Sequence, residues 1–401
     1  MFGVRKTLAT LLATASLVSP ALAATVYYQP TPYPSSVTAG VHVLDGWLPS
    51  QYYGKTFQKD DKLQVGGWGD TYRTYIQFDL TGLPANVSSA RLKLYAFPKG
   101  DASTLTGIDV YNPGAAWASS SLTTSMTWDT QPTGNTLVTS VAAGANNAFW
   151  DIPITSLYNG WRAGTSANRG LMISPKGINN NFSLWRSSRY SGDGQRPLLE
   201  LTFTPPVTVP NFKIPLPRNV SWLVTTEAGG YDCNGVFNAA HSGTNYFSID
   251  FSWRNKNATG AAVYGSPDAG ANIPVTPAAD GIVADVISSS SHANFANNGY
   301  FVAIAHNSTG SLTSGFSTRY LHLKAAPQVT VGQPVYQGQT VLGYMGNTGA
   351  SQGAHLHFGV RYNNSGAATT NAMYAVVSGW LLKSFQTECS AGSPVRYYLS
   401  S

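Results

Sequence analysis

The sequence predicts an all-β protein of two domains: a jelly-roll-like β-sandwich first, then an antiparallel β-domain. Three observations carry this expectation. Short runs rich in β-branched and aromatic residues recur along the chain, separated by Gly, Pro, Asn and Asp. Only 10% of the 401 residues are charged and 43% are hydrophobic, which excludes a disordered chain and supplies sizeable cores. Between positions 205 and 217 stand Pro205, Pro206, Pro210, Pro215 and Pro217, which resist helix interiors and central strands and so mark a linker.

The elements follow in order. Residues 1–23 read as a secretion signal: Arg5 and Lys6, an apolar run to Leu17, Pro20, then Ala21-Leu22-Ala23 as a small-x-small cleavage pattern. No later run reaches about 18 apolar residues, so no transmembrane segment is expected in the mature chain. In 24–204 the expected strands include Val41–Leu44, Arg73–Phe78, Ala90–Phe97, Ile108–Tyr111 and Leu198–Phe203, with one short helix over Pro153–Arg162. Residues 205–217 form the linker that leads into the second domain, 218–401. Strands expected there are Tyr246–Phe251, Gly281–Val286, Phe301–Ala305, Thr318–Leu323 and His355–Val360, and a short helix is expected over Ala372–Leu382. Cys233 and Cys389 suit one disulfide in an exported chain.

Charge narrows the function. Loss of Arg5 and Lys6 with the signal lowers the net charge from +6 to +4, spread over both domains. No dense basic patch favours nucleic acid.

The chemistry-bearing residues cluster in the second domain. His355-Leu356-His357-Phe358 places two imidazoles on one face of a strand and two apolar side chains on the other. Asp250, between Ile249 and Phe251, points away from the face those two bury, and an acid so placed needs a partner. His241 precedes it in a loop, and His322 sits between Leu321 and Leu323. Zinc in hydrolases takes three protein ligands and keeps one position for water. Two histidines and one carboxylate meet that need, and spacing alone leaves open which histidines they are.

The ordered blocks His241…Asp250, Pro277-Ala278-Ala279-Asp280-Gly281, Tyr320-Leu321-His322-Leu323, Gly346-Asn347-Thr348-Gly349 and Gly353-Ala354-His355-Leu356-His357 resemble the LytM/lysostaphin-type zinc metalloendopeptidases. The resemblance spans roughly 211–365. It implies one Zn2+ per chain held by His241, Asp250 and His357, with His322 and His355 as catalytic residues. His306 and His292 fall outside that set. Eight residues separate His241 from Asp250, more than the family's common spacing, which resembles its secreted lytic and elastolytic branch. The implied activity is hydrolysis of peptide cross-links in peptidoglycan, with glycine preference. The competing readings are a non-catalytic wall-binding or regulatory protein and a peptidase acting on glycine-rich extracellular proteins.

The first domain resembles secreted β-sandwich domains of the DNRLRE type that accompany polysaccharide-active and cell-wall enzymes. The blocks are Arg73–Leu80, Ser89–Leu94, Thr127-Trp128-Asp129, Trp150-Asp151-Ile152, Trp161–Gly164 and Arg196–Leu199. Glycan contact through Arg91, Lys93 and Trp or Tyr residues is implied, against a packing role for Trp128, Trp150 and Trp161. An inhibitory or folding pro-region is the other reading. The chain is expected to act as a secreted monomer.

Overall fold

The computed structural model describes most of the chain from Ala23 to Ser400. Outside the description lie 1–22, 30–42, 99–104, 119–124, 363–371, 382–396 and scattered positions (53, 56, 58, 59, 178, 179, 191–193, 206, 207, 231, 233–235, 373, 374, 379 and 401). The expected signal and both cysteines, Cys233 and Cys389, therefore fall outside the described residues.

Strands make up 41% and helices 7%, which fixes the class as all-β. A 13-stranded ladder holds the first domain. Ser89–Ala96 shows how its sequence builds it. Ala90, Leu92, Leu94 and Ala96 are buried, while Ser89, Arg91, Lys93 and Tyr95 face outward with partial exposure. This period of two turns one face to the core. The strand pairs with Leu198–Phe203 on one side and Ala148–Pro153 on the other. Ile76, Trp150, Trp185 and Leu201 close the same core.

The helix runs Thr155–Ala163, two residues later than expected at its start, because Pro153 ends the preceding strand. Gly164 stops it in the left-handed conformation. Tyr158, fully buried, donates its hydroxyl to the Pro84 carbonyl at 2.6 Å. Trp150 is core, Trp161 packs against the core, and Trp128 lies under the Arg73 guanidinium.

The second domain is built on an antiparallel sheet of eight strands, with a separate two-stranded pair of Pro274–Val275 and Gly343–Tyr344. The order of the eight is Pro334–Val335, Gly281–Ile287, Tyr300–Ala305, Phe316–Leu323, His355–Tyr362, Ser248–Lys256, Ser221–Thr226 and Tyr397–Leu399. Its apolar face carries Ile249, Phe251, Tyr320, Leu356 and Phe358, none with measurable exposure. Phe212, Ile214 and Leu216 from the proline-rich stretch are buried in this core.

Contacts among the described residues join the domains. Tyr246 packs its ring beside Gly82 of the first domain and Gly229 of the second, 3.2 and 3.3 Å from where a Cβ would stand on each. Of the span expected as a helix, Ala372–Leu382, the described residues show Ala372 helical and the later part as two short strands, Val376–Val377 and Trp380–Leu381. Ser378, at φ +49, turns the chain between them. Trp380 then pairs with Tyr27 at the edge of the first sheet. A run of Val, Trp and Leu with a tight turn satisfies its backbone better against an open sheet edge than as an isolated helical turn.

His306 is held by a directional network. Its Nδ1 lies 2.8 Å from the Asp280 carbonyl, which can only accept, so Nδ1 carries the hydrogen. Nε2 then accepts from the Thr318 hydroxyl, and Thr318 accepts from Tyr320. A neutral imidazole is required, and burial pushes its pKa down to about 4. As pH falls from about 6.5 the unfolded chain takes up this proton and the folded one does not, so stability drops down to pH about 4. His306→Gln keeps a donor and an acceptor without titrating. Its urea midpoint is expected to fall less steeply than that of the parent chain over this window.

Candidate metal centre

Strand register builds half of the site. His355–Tyr362 lies between Phe316–Leu323 and Ser248–Lys256. Leu356 and Phe358 enter the core, so His355 and His357 share the opposite face. Across the ladder Asp250 stands opposite His357, and Ser252 opposite His355. Directly opposed residues of an antiparallel pair face the same way.

His322 reaches that face by a different device. Strict alternation from the buried Tyr320 would turn His322 into the core. The ladder with Tyr300–Ala305 slips here, however: Tyr300 faces Leu323 while Val302 faces Tyr320. Two residues, Leu321 and His322, therefore stand against one, which is a bulge. His322 takes a left-handed φ of +63, and its ring comes 4.8 Å from that of His355 and 6.0 Å from that of His357.

His241 ends a one-turn 3-10 helix, Ala239–His241, capped by the Asn238 side chain. Its Nδ1 lies 2.8 Å from the Ser248 carbonyl and so holds a hydrogen. That turns Nε2 toward Asp250 Oδ2 at 3.0 Å. His357 Nδ1 lies 3.0 Å and His355 Nε2 3.6 Å from Asp250 Oδ1. Despite these distances no donor is aligned on Oδ1, a buried oxygen without a hydrogen bond. His241, Asp250 and His357 each offer a ligand atom, all within 4.8 Å of one another.

The electrostatics call for positive charge at this point. Burial opposes ionisation of Asp250, yet the imidazoles of His241 and His355 outweigh it and hold the carboxyl well below its usual range. Burial likewise opposes a charged His241, and the Asp250 carboxylate reverses it, raising that pKa. His322 is pushed down to about 4 by burial and by His355 and His357, and burial also lowers His357. Two nitrogens and one carboxylate, with an undonated buried oxygen between them, are the donor set a divalent zinc ion takes.

His322 and His355 are both oriented by backbone. His322 Nδ1 donates to the Thr348 carbonyl at 2.7 Å, and His355 Nδ1 to the Gly353 carbonyl at 2.8 Å. Each thus keeps Nε2 as its acceptor. The orienting residues were not evident as such in the sequence, although the block Gly346-Asn347-Thr348-Gly349 was. Thr348 Oγ1 donates to the Leu323 carbonyl at 2.6 Å and accepts from Tyr300 N–H at 3.0 Å. Gly349 is obligatory there, since a Cβ would lie 2.2 Å from the Gly299 nitrogen.

All five expected site residues, His241, Asp250, His322, His355 and His357, meet on one face. His306 stands apart in its own network, and the ring of exposed His292 accepts from Asn294 N–H. The face opens into a cleft of about 600 Å³ that includes Asp250, His322, His355 and His357. Residues 236–240 and 350–354 also line it.

Two family profiles match the chain. Residues 37–203 match Carbohydrate-binding module family 96, and residues 262–369 match Peptidase family M23. The second span includes His322, His355 and His357, while His241 and Asp250 precede it. Among solved structures, a catalytic-domain variant of the prophage-encoded M23 protein EnpA from Enterococcus faecalis is 23% identical. It covers 42% of this chain and 98% of its own, with a TM-score of 0.26. The catalytic domain of lysostaphin from Staphylococcus simulans is 22% identical over 37% of this chain and 86% of its own, with a TM-score of 0.24. No curated protein matches.

Thr348→Val removes the hydroxyl and keeps the shape. It leaves the buried Tyr300 N–H without its acceptor, at a cost of about 1–3 kcal/mol. The expected result is a lower urea midpoint and faster solvent exchange of the His322 Nδ1 hydrogen by NMR.

Proposed function

We propose that this chain, which carries an M23-family peptidase domain and a carbohydrate-binding module, is a secreted zinc endopeptidase that hydrolyses peptide cross-links of peptidoglycan. The observation that carries the reading is the buried Asp250 Oδ1 with no aligned donor among His241, His355 and His357. A peptide-binding or purely structural face has no need of a carboxylate left in that state.

In this reading His241 Nε2, Asp250 and His357 Nδ1 hold the zinc. When bound, zinc polarises a carbonyl and makes water more acidic. The chain supplies the rest. His322 and His355 stand at the cleft, each with Nδ1 tied to a carbonyl and Nε2 available. One takes the proton of the attacking water. Once protonated, an imidazole donates to the developing oxyanion or the departing amine. Their ring separation of 4.8 Å lets them share these tasks.

The substrate is a peptide strand lying in the cleft between residues 236–240 and 350–354. Preference for bonds beside glycine is part of the proposal and rests on the resemblance of the motif blocks. Export follows from the signal read in residues 1–23, and the first domain would hold the enzyme on the glycan of the wall.

Incubation of residues 24–401 with purified peptidoglycan and with a pentaglycine peptide tests this, new amino termini being identified by mass spectrometry. Cuts that vanish with a chelator, and in His357→Ala, are the expected result. His322→Ala is expected to slow cleavage by about 10²–10⁴-fold with zinc still bound. A folded, zinc-loaded chain that cuts neither substrate but digests elastin would move the reading to glycine-rich extracellular proteins. One that cuts nothing would leave a wall-binding protein.

A further inference from the structure

Five aromatic rings of the first domain form a series. Phe57 stacks on Trp47 at 4.3 Å, Trp47 meets Tyr72 at 5.5 Å, Tyr72 meets Phe182 at 6.4 Å, and Phe182 meets Trp68 at 6.0 Å. The series runs from nearly buried to open: Trp47 is 8% exposed and Trp68 51%. Strand pairing holds its middle, since Gly66 pairs with both Tyr72 and Phe182.

The backbone at the exposed end is fixed by a tight turn. Trp68 lies in the turn between Lys62–Gly66 and Tyr72–Phe78, and its N–H donates to Asp70 Oδ1 at 2.9 Å. Gly67, at φ +157, leaves no room for a side chain, as a Cβ would stand 1.7 Å from the Asp70 carbonyl oxygen. A large ring kept in water on a rigid turn forgoes the stabilisation that burial would bring.

The surroundings select the ligand chemistry. Residues 55–73 mix both charge signs, Lys55, Lys59, Lys62 and Arg73 with Asp60, Asp61 and Asp70. A pyranose offers an apolar ring face for stacking and an edge of hydroxyls for half-buried carboxylates such as Asp60 and Asp70. Arg91 and Lys93, the glycan contacts expected from sequence, are engaged elsewhere. Arg91 Nε lies 2.6 Å from Asp151, and Lys93 Nζ lies 3.5 Å from Asp151 and 3.6 Å from Glu200.

We infer that the ring series ending in Tyr72, Phe182 and Trp68 is the sugar-binding face of the first domain, taking a pyranose chain that stacks on Trp68 and Phe182. This rests on the proposed glycan-binding role and says where that role resides. Titration calorimetry of the full chain with chitohexaose and with cellohexaose tests it, and neither probe has a peptide bond, so peptidase action does not enter the readout. The parent chain is expected to bind at least one of them. Trp68→Ala and Phe182→Ala are each expected to weaken that binding by about tenfold. Trp68→Phe retains most of the affinity, and Arg91→Ala leaves it unchanged. If both alanine variants bind like the parent, or Arg91→Ala alone abolishes binding, the face is misplaced and the glycan role stands. If the parent binds neither oligosaccharide, the glycan role fails and this inference falls with it.

Discussion

The carboxylate of Asp250 is 5% exposed and sits among three imidazoles. Removing a charge from water this far is affordable only where opposite charge is delivered to it with good geometry. Much of the second domain can be understood as that delivery. Strand Ser248–Lys256 pairs with His355–Tyr362 so that Asp250 falls opposite His357. The Ser248 carbonyl, two residues before the acid, sets which nitrogen of His241 faces it. The apolar side chains between these residues, Ile249, Phe251, Leu356 and Phe358, fix the register, because a slip of one residue would exchange the polar and apolar faces.

The bulge at His322 is the second requirement. It places a non-glycine residue in the left-handed region, a conformation that costs of order 1–3 kcal/mol. The surrounding structure holds it through Thr348, whose carbonyl takes the imidazole hydrogen and whose hydroxyl ties the Leu323 carbonyl to the Tyr300 amide. Strain and its restraint thus lie on the same few residues.

How far these features were legible depended on whether they were local. His355 and His357 on one face, and Asp250 turned from its apolar neighbours, follow from the period of a strand and were readable directly. The side on which His322 lands was not, because it depends on a mismatch with Tyr300–Ala305, a strand distant in sequence. The motif order placed His322 in the site where alternation would have buried it. The stretch Ala372–Leu382 misled for the same reason. Its local pattern suits a helix, and its partner, Tyr27, lies at the other end of the chain. Arg91 and Lys93 looked available for a ligand in sequence, and their partners Asp151 and Glu200 come from other strands.

That pairing of Tyr27 with Trp380 has a bearing on how the molecule is completed. Ala24–Tyr28 has Leu198–Phe203 on one side, and its other side is covered only when a segment some 350 residues downstream arrives. Until Trp380 is placed, Ala24–Tyr28 therefore carries an uncovered edge at Tyr27. Such an edge invites pairing with a neighbouring chain. Loop closure over this separation is slow compared with local hairpins. The last step in finishing the first domain thus waits for a segment of the second, and neighbouring Val377 lies in the core of the second.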